Sequence, residues 1–462
     1  MNNDGLILAT DILVRARRPL APSRPRVPQV HFFDTGESDS LLVVNGSRIF
    51  DLEHGLASHL RGAWEAGDAA NVGLHLSNLG LDLPAFIDDA PIVSPPLRAL
   101  SLAVAQKCNL ACSYCYAQEG DFGGDAASMP LETAQVSIDT LFADTSPGDR
   151  VQVTFLGGEP LANRAVLRSA TKYAAHLGRR CQVQTRFSIT TNGTLVTPED
   201  AMFFEEYAFS VTVSLDGIGP AHDELRPYKN GQGSYDRVLE RIKPLLASQR
   251  TMQVSARVTV TPQNLALRET LDTLIDLGFH SVGFSPMLSS PTGRGEMAAV
   301  ELETMLSEMI ACGRVFEEAL VAGRRYPFLN LVNALQEIHR GTHRPYPCGA
   351  GAGYLAVSAS GELAACHRFV NDPTGMMGNL EHGVDHDLQN RWLDERHVHR
   401  HEPCRSCWAR YLCGGGCHHE VIHRGRPACD YIRGWLHYVL QAYGRLLERC
   451  PAYFVGAVQP AE

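Results

Sequence analysis

From residue 98 onward, short apolar runs alternate with longer stretches in which apolar residues recur at helical spacing. The first pattern is typical of buried strands and the second of amphipathic helices. The strand-like runs lie at 100–105, 151–156, 186–190, 209–215, 254–260 and 281–285. The helical stretches between them include 131–142, 165–176, 235–246 and 265–277. This alternation predicts an α/β fold with a parallel sheet and right-handed crossovers, namely a partial (β/α)6 TIM-like barrel rather than a complete barrel of eight.

Residues 29–90 show a different order, in which strand-like runs precede helices. The runs at 30–33, 41–44 and 48–52 are followed by helical stretches at 56–66 and 69–79. This order predicts a small separate α+β module of winged-helix-like character. Two roles stay open for it: recognition of a partner, or packing without any binding role.

The other segments complete a domain plan around the barrel. A Pro- and Arg-containing arm precedes the module, and a Ser-Pro-Pro linker at 92–97 follows it. The barrel ends at a Ser/Pro/Gly-rich break, and helical patterns at 302–320 and 330–339 then form a connector. The predicted segments are an arm at 1–28, the module at 29–90, the barrel at 98–296, the connector at 297–345, a cysteine-rich region at 346–450 and a tail at 451–462.

Composition and charge exclude several classes of protein. The chain is 44% hydrophobic and 20% charged, as in ordinary globular proteins. Its net charge of −10, with no long basic block, argues against nucleic acid as the main partner. No signal-like or membrane-spanning apolar segment is apparent, so we expect a cytoplasmic protein that does not enter a membrane. Ten of the thirteen cysteines stand at motif spacing, which in a reducing compartment indicates metal binding rather than disulfides.

Three cysteines stand close together directly after the first barrel strand. Cys108, Cys112 and Cys115 have the spacing Cys-x3-Cys-x2-Cys. A four-iron cluster held by three thiolates keeps one iron open, and the amine and carboxylate of an amino acid can occupy that position. The alternatives are a zinc site, which needs a fourth ligand, and a set of plain buried thiols.

This cysteine loop, with Asn109 and the aromatic Tyr114, resembles the cluster loop of radical S-adenosylmethionine (SAM) enzymes. The resemblance implies a 4Fe-4S cluster that binds SAM and gives a 5′-deoxyadenosyl radical, which removes a hydrogen from the substrate. It assigns Cys108, Cys112 and Cys115 to the radical-generating cluster. It also implies a flavodoxin or ferredoxin as electron donor.

Polar residues follow the next three strands, where active residues of such barrels lie. Gly-Gly-Glu-Pro at 157–160 is similar to the family's motif for the SAM amine, and the polar groups after the third and fourth strands suit a ribose and a carboxylate. Arg226 and Arg257 are candidate partners of the SAM carboxylate. Ordinary turns and surface ion pairs are the alternatives. The candidate SAM-binding residues are Gly157, Gly158, Glu159, Pro160, Thr191, Asn192, Ser214, Asp216, Arg226 and Arg257.

A second group of cysteines begins after residue 346. Its members are Cys348, Cys366, Cys404, Cys407, Cys413, Cys417 and Cys429. The spacing resembles the SPASM extension of radical SAM enzymes, which implies two auxiliary clusters and therefore three 4Fe-4S clusters in all. The resemblance assigns one set of four to the distal cluster, namely Cys404, Cys407, Cys413 and Cys429. It assigns Cys348, Cys366 and Cys417 to the cluster nearer the barrel, whose fourth ligand stays open; zinc is the alternative.

The stretch 357–363 is typical of a β-hairpin, which would return Cys366 to the side of Cys348. Several histidines, among them His418, His419 and His423, lie near the cysteines and are most simply polar residues.

The residue after Cys366 bears on the substrate. Sulfatase-maturing relatives have an aspartate there, whereas this chain has His367, which makes that activity less expected and His367 a candidate catalytic residue. Cys-His-Arg-Phe resembles the peptide-linking members, and modules like 29–90 add a leader peptide as an extra strand in many such enzymes. We therefore expect a maturase that cross-links a ribosomal peptide or small protein through a thioether or carbon–carbon bond. The alternatives are a small-metabolite dehydrogenase, a formylglycine-type sulfatase maturase and a non-catalytic iron–sulfur carrier.

Overall fold

The structure is a computed structural model that describes residues 29–81, 87 and 89–455. The predicted arm at 1–28 lies outside these residues, as do 82–86 and 88 of the module and 456–462 of the tail. Among the helices in the described part of the chain, we find none with the length and apolar character that a membrane span requires.

Three antiparallel strands and two helices form the N-terminal module. The strands are β1 (Val30–Asp34), β2 (Asp39–Val43) and β3 (Arg48–Leu52), and the helices are α1 (His54–Glu65) and α2 (Ala69–Asn78). The sheet order is β1-β2-β3. The elements predicted for this segment are confirmed, to within one or two residues at most ends.

The module's sheet is covered on both faces because successive strand residues point to opposite sides. One face packs on α2 and forms a small core of its own, with Val30, Leu41, Val43, Val72 and Leu76. The other face joins the main core of the protein through Phe33, Leu42 and Val44. The module thus keeps a core of its own while one face is shared with the rest of the chain.

Six parallel strands form the partial barrel, and the six strand predictions are confirmed. The strands are β4 (Ala99–Gln106), β6 (Arg150–Gly157), β7 (Gln184–Thr191), β8 (Ser210–Ser214), β9 (Gln253–Val260) and β10 (Ser281–Pro286), with the short β5 (Ala127–Ser128) antiparallel to β4. Neighbours in the sheet follow chain order, which is the arrangement that right-handed βα crossovers produce. The crossover helices are α3 (Leu131–Phe142), α4 (Arg164–Cys181), α5 (Pro198–Glu206), α6 (Pro220–Leu225), α7 (Tyr235–Ala247) and α8 (Leu267–Asp276).

The cysteine-rich region extends the barrel sheet. After α9 (Ala299–Val321) and α10 (Leu329–His339), strand β11 (Tyr354–Val357) pairs in parallel with the outer edge of β4. The predicted hairpin is confirmed, because β12 (Glu362–Ala364) returns antiparallel to β11. The sheet continues through β13 (Met376–Asn379) and β14 (Gly383–Val384). The remaining helices are α11 (His386–Arg396), α12 (Arg410–Cys413), α13 (His418–Arg424), α14 (Cys429–Arg449) and α15 (Ala452–Val455).

Candidate active site

The cysteine loop, residues 107–120, leaves the C-terminal end of β4. Burial raises the pKa of all three thiols, to about 12 for Cys112, and the Arg226 guanidinium acts in the opposite direction on each. The Leu110 N–H points at the Cys108 sulfur from 3.4 Å. Half-buried thiols next to an arginine cation and an N–H donor fit the thiolate ligands of an iron–sulfur cluster.

The glycines before Glu159 let the cysteine loop approach β6. A Cβ on Gly158 would lie 2.5 Å from the Lys107 carbonyl oxygen and 2.6 Å from the Gly120 Cα. A Cβ on Gly157, whose φ is +152°, would lie 2.2 Å from the Ala105 carbonyl oxygen. Both glycines are candidate SAM-binding residues from the sequence; the close approach that the structure contains is between two backbone segments. Pro160 is buried at the first position of the turn that follows Glu159.

Glu159 is fully buried and accepts three hydrogen bonds from the protein. Its Oε1 accepts from the Leu161 N–H at 3.0 Å and from the Thr191 hydroxyl at 2.8 Å, and its Oε2 accepts from the Asn192 N–H at 2.7 Å. Burial raises the pKa of Glu159, and these donors and Arg226 partly offset that effect. A carboxylate offers about four lone-pair sites, so these three bonds leave one acceptor position unused.

Asn192 links this carboxylate to the cysteine loop. Its side-chain amide donates to Asn109 Oδ1 at 2.9 Å and lies 3.6 Å from the Cys108 sulfur. Asn109 in turn donates to the Thr194 hydroxyl at 2.8 Å. The ends of β6 and β7 therefore hold the first cysteine of the loop in place.

A second network holds the other side of the loop. Asp216 lies after β8, fully buried, and accepts from the Tyr114 hydroxyl, from Arg226 Nη1 at 3.2 Å and from the Thr259 N–H at 2.7 Å. Burial raises the pKa of Asp216, and Arg226 opposes that rise. Burial disfavours the charge of Arg226. Cys112 and Asp216 nevertheless raise the pKa of Arg226, so it stays a cation beside the thiols.

His222 supports this network from behind. Its Nδ1 accepts from the Asp216 N–H at 3.2 Å, and its Nε2 lies 3.0 Å from the Ser234 hydroxyl, which donates to the Arg226 carbonyl at 2.6 Å. This pattern requires the neutral imidazole with its proton on Nε2. Burial, together with Arg226, lowers the pKa of His222 to about 3.

Ser214 and Arg257 are neighbours inside the barrel. Arg257 stands opposite Ser214 where β8 pairs with β9, and its guanidinium donates to the Ser285 hydroxyl on β10. The contacts of Arg257 are thus with the barrel wall, whereas Arg226 contacts the network around the cysteine loop. Arg257 is accessible to solvent, yet desolvation by the surrounding protein lowers the pKa of its guanidinium, and Glu420 opposes that shift.

Four of the later cysteines, the expected distal set, lie around one cavity. A cavity of about 70 Å³ is lined by Cys404, Cys407, Cys413 and Cys429 together with Cys417. Burial raises the pKa of Cys404 to about 11, with the other three thiols of the distal set nearby. A cavity bordered by the four thiols of the distal set fits an iron–sulfur cluster.

The other expected set, Cys348, Cys366 and Cys417, adjoins that cavity through Cys417. Burial, the Cys348 thiol and the Cys417 thiol all raise the pKa of Cys366. The Gly351 N–H donates to the Ala365 carbonyl at 2.9 Å, so the hairpin does return Cys366 toward Cys348. Cys348 is exposed, yet the surrounding protein raises the pKa of its thiol to about 11. Three thiols close enough to shift one another's pKa fit a second auxiliary cluster.

His367 and Arg368 lie between the cysteine loop and the nearer auxiliary group. The Nδ1 of His367 is 3.0 Å from the Tyr354 hydroxyl, and its ring meets that of Tyr116 edge-on at 5.5 Å. Burial, with Arg368 and Arg257, lowers the pKa of His367 to about 4. Arg368 lies 5.6 Å from the centre of the Tyr116 ring and 3.8 Å from the Cys417 sulfur. These side chains connect the two cysteine-bearing regions.

Sequence reasoning missed several of these residues. Tyr116 and Arg368 closely follow cysteines of the two motifs, and that adjacency could have marked them. Tyr354 and His222 carry no such mark, because only the fold brings them to His367 and Asp216.

Comparison with known proteins was made at the level of family, sequence and structure. The family model described as "Radical SAM superfamily" matches residues 102–274. An uncharacterized protein of Methanocaldococcus jannaschii is 32% identical over 190 residues, which are 41% of this chain and 62% of that protein. The serine-type anaerobic sulfatase-maturating enzyme of Klebsiella aerogenes is 25% identical over 351 residues, which are 73% of this chain and 84% of the enzyme.

Two solved structures have a similar fold. The enzyme anSMEcpe with bound AdoMet aligns with a TM-score of 0.64 at 20% identity, over 79% of this chain and 98% of that one. Streptococcus suis SuiB bound to its precursor peptide SuiA aligns with a TM-score of 0.51 at 15% identity, over 86% of this chain and 96% of that one.

Proposed function

This chain is a radical SAM enzyme whose radical SAM domain spans residues 102–274, and on that premise we propose that it is a peptide maturase. It removes hydrogen from a ribosomally made peptide or small protein and leaves an intramolecular cross-link, either a thioether or a carbon–carbon bond. The observation that carries the choice of a peptide is the free edge of the N-terminal sheet.

Strand β3 lies at that edge. The sheet order is β1-β2-β3, and within the described residues no further strand pairs with β3. Arg48 and Asp51 of β3 are exposed. An unpaired edge offers backbone donors and acceptors to an extended peptide. A leader peptide therefore adds to β3 as a fourth strand.

Contacts with the cysteine-rich region hold the module at a fixed place, through β1 and the turn before β3. Arg410 lies between Cys407 and Cys413 of the distal group and donates to the Asn45 side chain at 2.8 Å and to Gln29. His31 of β1 stacks on Trp408 at 3.6 Å. A leader bound on β3 is thereby held at a constant distance from the barrel mouth. This supports recognition of a peptide in which the leader and the modified segment are separate.

Relatives of similar fold support the same substrate class. SuiB has been solved with the precursor peptide SuiA, and anSMEcpe with the Cp18Cys peptide. Both are only distantly similar in sequence to this chain, so the inference from them extends to the kind of substrate and not to its sequence.

The SAM site is proposed at the two networks around the cysteine loop. Glu159 accepts the SAM ammonium group at its remaining acceptor position, and Arg226 attracts the carboxylate. Thr191, Asn192, Ser214 and Asp216 border the same end of the barrel. Arg257 extends its cation from the barrel wall toward the substrate.

The chemistry itself comes from the bound groups. A 4Fe-4S cluster on Cys108, Cys112 and Cys115 supplies, when bound, the electron that cleaves SAM to the 5′-deoxyadenosyl radical, which takes a substrate hydrogen. The chain positions the substrate and excludes water, because a primary carbon radical can attack many C–H bonds. His367, next to Tyr354, is the proposed catalytic residue.

Two auxiliary 4Fe-4S clusters on the seven later cysteines complete the cofactor set. If bound there, these clusters would supply an acceptor for the electron that the substrate must lose for a cross-link to form. A flavodoxin or ferredoxin supplies electrons for SAM cleavage.

Mass spectrometry tests the reaction. Candidate peptides from short reading frames beside the gene are incubated anaerobically with the holoenzyme, SAM and reductant. We expect a loss of two hydrogens and a gap in the fragment ions between the linked residues. A peptide that is never changed, while a small metabolite is oxidised, refutes the proposal.

Hydrogen–deuterium exchange of the whole enzyme tests leader binding. Strand addition protects outward N–H groups, so the unmodified leader should slow exchange at 48–52. A leader with prolines in the segment that pairs is the control, because it cannot donate the backbone hydrogen bonds. Protection that appears only at 30–34 would move the site to the opposite edge and contradict the assignment to β3.

A sulfatase maturase is the second candidate function. It is favoured by the similarity to the Klebsiella aerogenes enzyme over 84% of that enzyme's length. Oxidation of serine to formylglycine also removes two hydrogens, so mass alone does not distinguish the two reactions. A synthetic sulfatase-type peptide and a hydrazine probe do: an aldehyde that reacts with hydrazine supports formylglycine, and an unreactive product with a fragmentation gap supports a cross-link.

A further inference from the structure

Three potential metal ligands meet beside the auxiliary cysteines without belonging to either cysteine group. Asp372, His419 and His423 each offer one ligand atom, and these three atoms lie within 4.8 Å of one another. From this juxtaposition we propose a fourth metal site, which binds one divalent transition-metal ion through two imidazoles and one carboxylate. The site does not depend on the proposed peptide substrate.

The helix α13 supplies two of the ligands. Its sequence His419-Glu420-Val421-Ile422-His423 places the two histidines four residues apart. Residues at this spacing lie on one face of a helix, one turn apart. The two rings are 4.4 Å apart between centroids. The H-E-x-x-H spacing is that of known zinc-binding helices.

Asp372 supplies the third ligand from the segment between β12 and β13. Its Oδ1 accepts from the Thr374 N–H at 2.9 Å, which orients the carboxylate. Its Oδ2 lies 3.1 Å from the Nε2 of His423. One oxygen is thus held by the protein and the other faces the histidines.

His419 gives an independent indication of a ligand. Its Nδ1 is buried and, among the described residues, has no hydrogen-bond partner. The Phe369 ring contacts the His419 ring edge-on at 5.1 Å. A buried polar nitrogen without a partner is costly. A metal ion bound to this nitrogen, directly or after rotation of the ring, would remove that cost.

The three ligand atoms need to move only slightly closer together to bind one ion. Zinc bonds of 2.0–2.2 Å in tetrahedral arrangement place ligand atoms about 3.3 Å apart. His423 is exposed, so its side chain is free to rotate inward. Two imidazoles and a carboxylate suit zinc or ferrous iron.

Glu420 indicates that the ion is structural and not hydrolytic. In H-E-x-x-H proteases the glutamate is the general base. Here the Glu420 carboxylate pairs with Arg368 Nη1 at 2.7 Å, and Arg368 also lies next to the Cys417 sulfur. The ion would tie Asp372 to α13, and with it the Arg368–Glu420 pair beside the nearer auxiliary group.

Zinc binding to the iron–sulfur-loaded protein is the test. After removal of loosely bound metal, elemental analysis should show one tightly bound zinc per chain in addition to the cluster iron. Asp372→Asn keeps an acceptor for Thr374, and His423→Gln keeps a polar side chain. Each should weaken zinc binding by at least about ten- to a hundredfold, the loss that even outer-sphere partners of metal sites produce, with cluster iron unchanged.

His59→Gln is the matched control. His59 and His75 form another exposed histidine pair, with their Nε2 atoms 3.2 Å apart, and such a pair can capture stray zinc at the surface. This variant should keep the tightly bound ion. If it loses the ion, or if Asp372→Asn and His423→Gln both keep it, the proposed site is wrong.

Iron in the site is distinguished by Mössbauer spectroscopy of protein loaded with ⁵⁷Fe. A mononuclear high-spin ferrous component that disappears in His423→Gln would identify iron as the ion. A wild-type protein with neither bound zinc nor such a component would overturn the proposal. Should His423→Gln disturb the clusters, Asp372→Asn with full cluster iron decides the result.

Discussion

Replacement of Glu159 by glutamine separates the structural role of this carboxylate from ligand binding. Glu159→Ala would remove all three hydrogen bonds and leave the buried N–H groups of Leu161 and Asn192 unpaired. Glutamine is nearly isosteric with glutamate. Its oxygen can keep the two bonds made by Oε1, while its NH2 group then faces the Asn192 N–H.

The expected losses of stability and of SAM affinity follow from this substitution. A hydrogen bond to a charged group contributes about 1.5–3 kcal/mol. The variant should lose about that much stability at the Asn192 contact. Because the NH2 group cannot accept from an ammonium, SAM affinity should fall by a similar free energy, roughly ten- to a hundredfold.

Equilibrium dialysis of SAM against the anaerobically reconstituted protein measures the affinity, and the melting temperature measures the stability. Glu205→Gln is the control. The half-buried Glu205 carboxylate accepts from the backbone N–H groups of residues 250–252, before β9 begins, at the opposite end of the strands. That variant should lose stability and keep SAM affinity. Unchanged SAM affinity in cluster-loaded Glu159→Gln would refute SAM binding by this carboxylate.

Two further predictions concern the clusters and the buried histidine. The wild type should carry about twelve irons and Cys429→Ser about four fewer; a wild type that saturates near four irons with full activity would exclude the auxiliary clusters. The pKa of His222 is lowered to about 3 in the folded protein. As pH falls below 6.5, this histidine is therefore protonated in the unfolded protein first, and the free energy of unfolding should decrease by up to about 1.4 kcal/mol per pH unit. His222→Asn keeps an acceptor for the Asp216 N–H without titrating, so its melting temperature should fall less than that of the wild type between pH 7 and 5.5; equal losses would contradict this role.

The sequence was sufficient to predict the barrel strands and the hairpin at 357–363. Both depend on local patterns: the alternation of apolar runs with helical periodicity, and a Ser-Gly turn between two strands. The spacing of Cys108, Cys112 and Cys115 is also local, since one short loop carries all three thiols.

Which groups the strand-end residues contact was decided by the tertiary structure. Thr191, Asn192 and Asp216 were predicted to contact a ligand, and the structure shows them bonded to other protein groups around the cysteine loop. A turn motif shows that a polar side chain lies at a strand end, but not which donors from other strands reach it. Those donors come from segments that only the closed sheet brings together.

The proposed metal site shows the same division between local pattern and tertiary packing. That His419 and His423 share a helix face is determined by their spacing in the sequence. That Asp372 faces them, and that β11 continues the sheet beside β4, depends on packing between segments far apart in the chain. Local periodicity determines the elements of this protein, whereas the meeting of distant side chains is decided by how those elements bury their apolar faces.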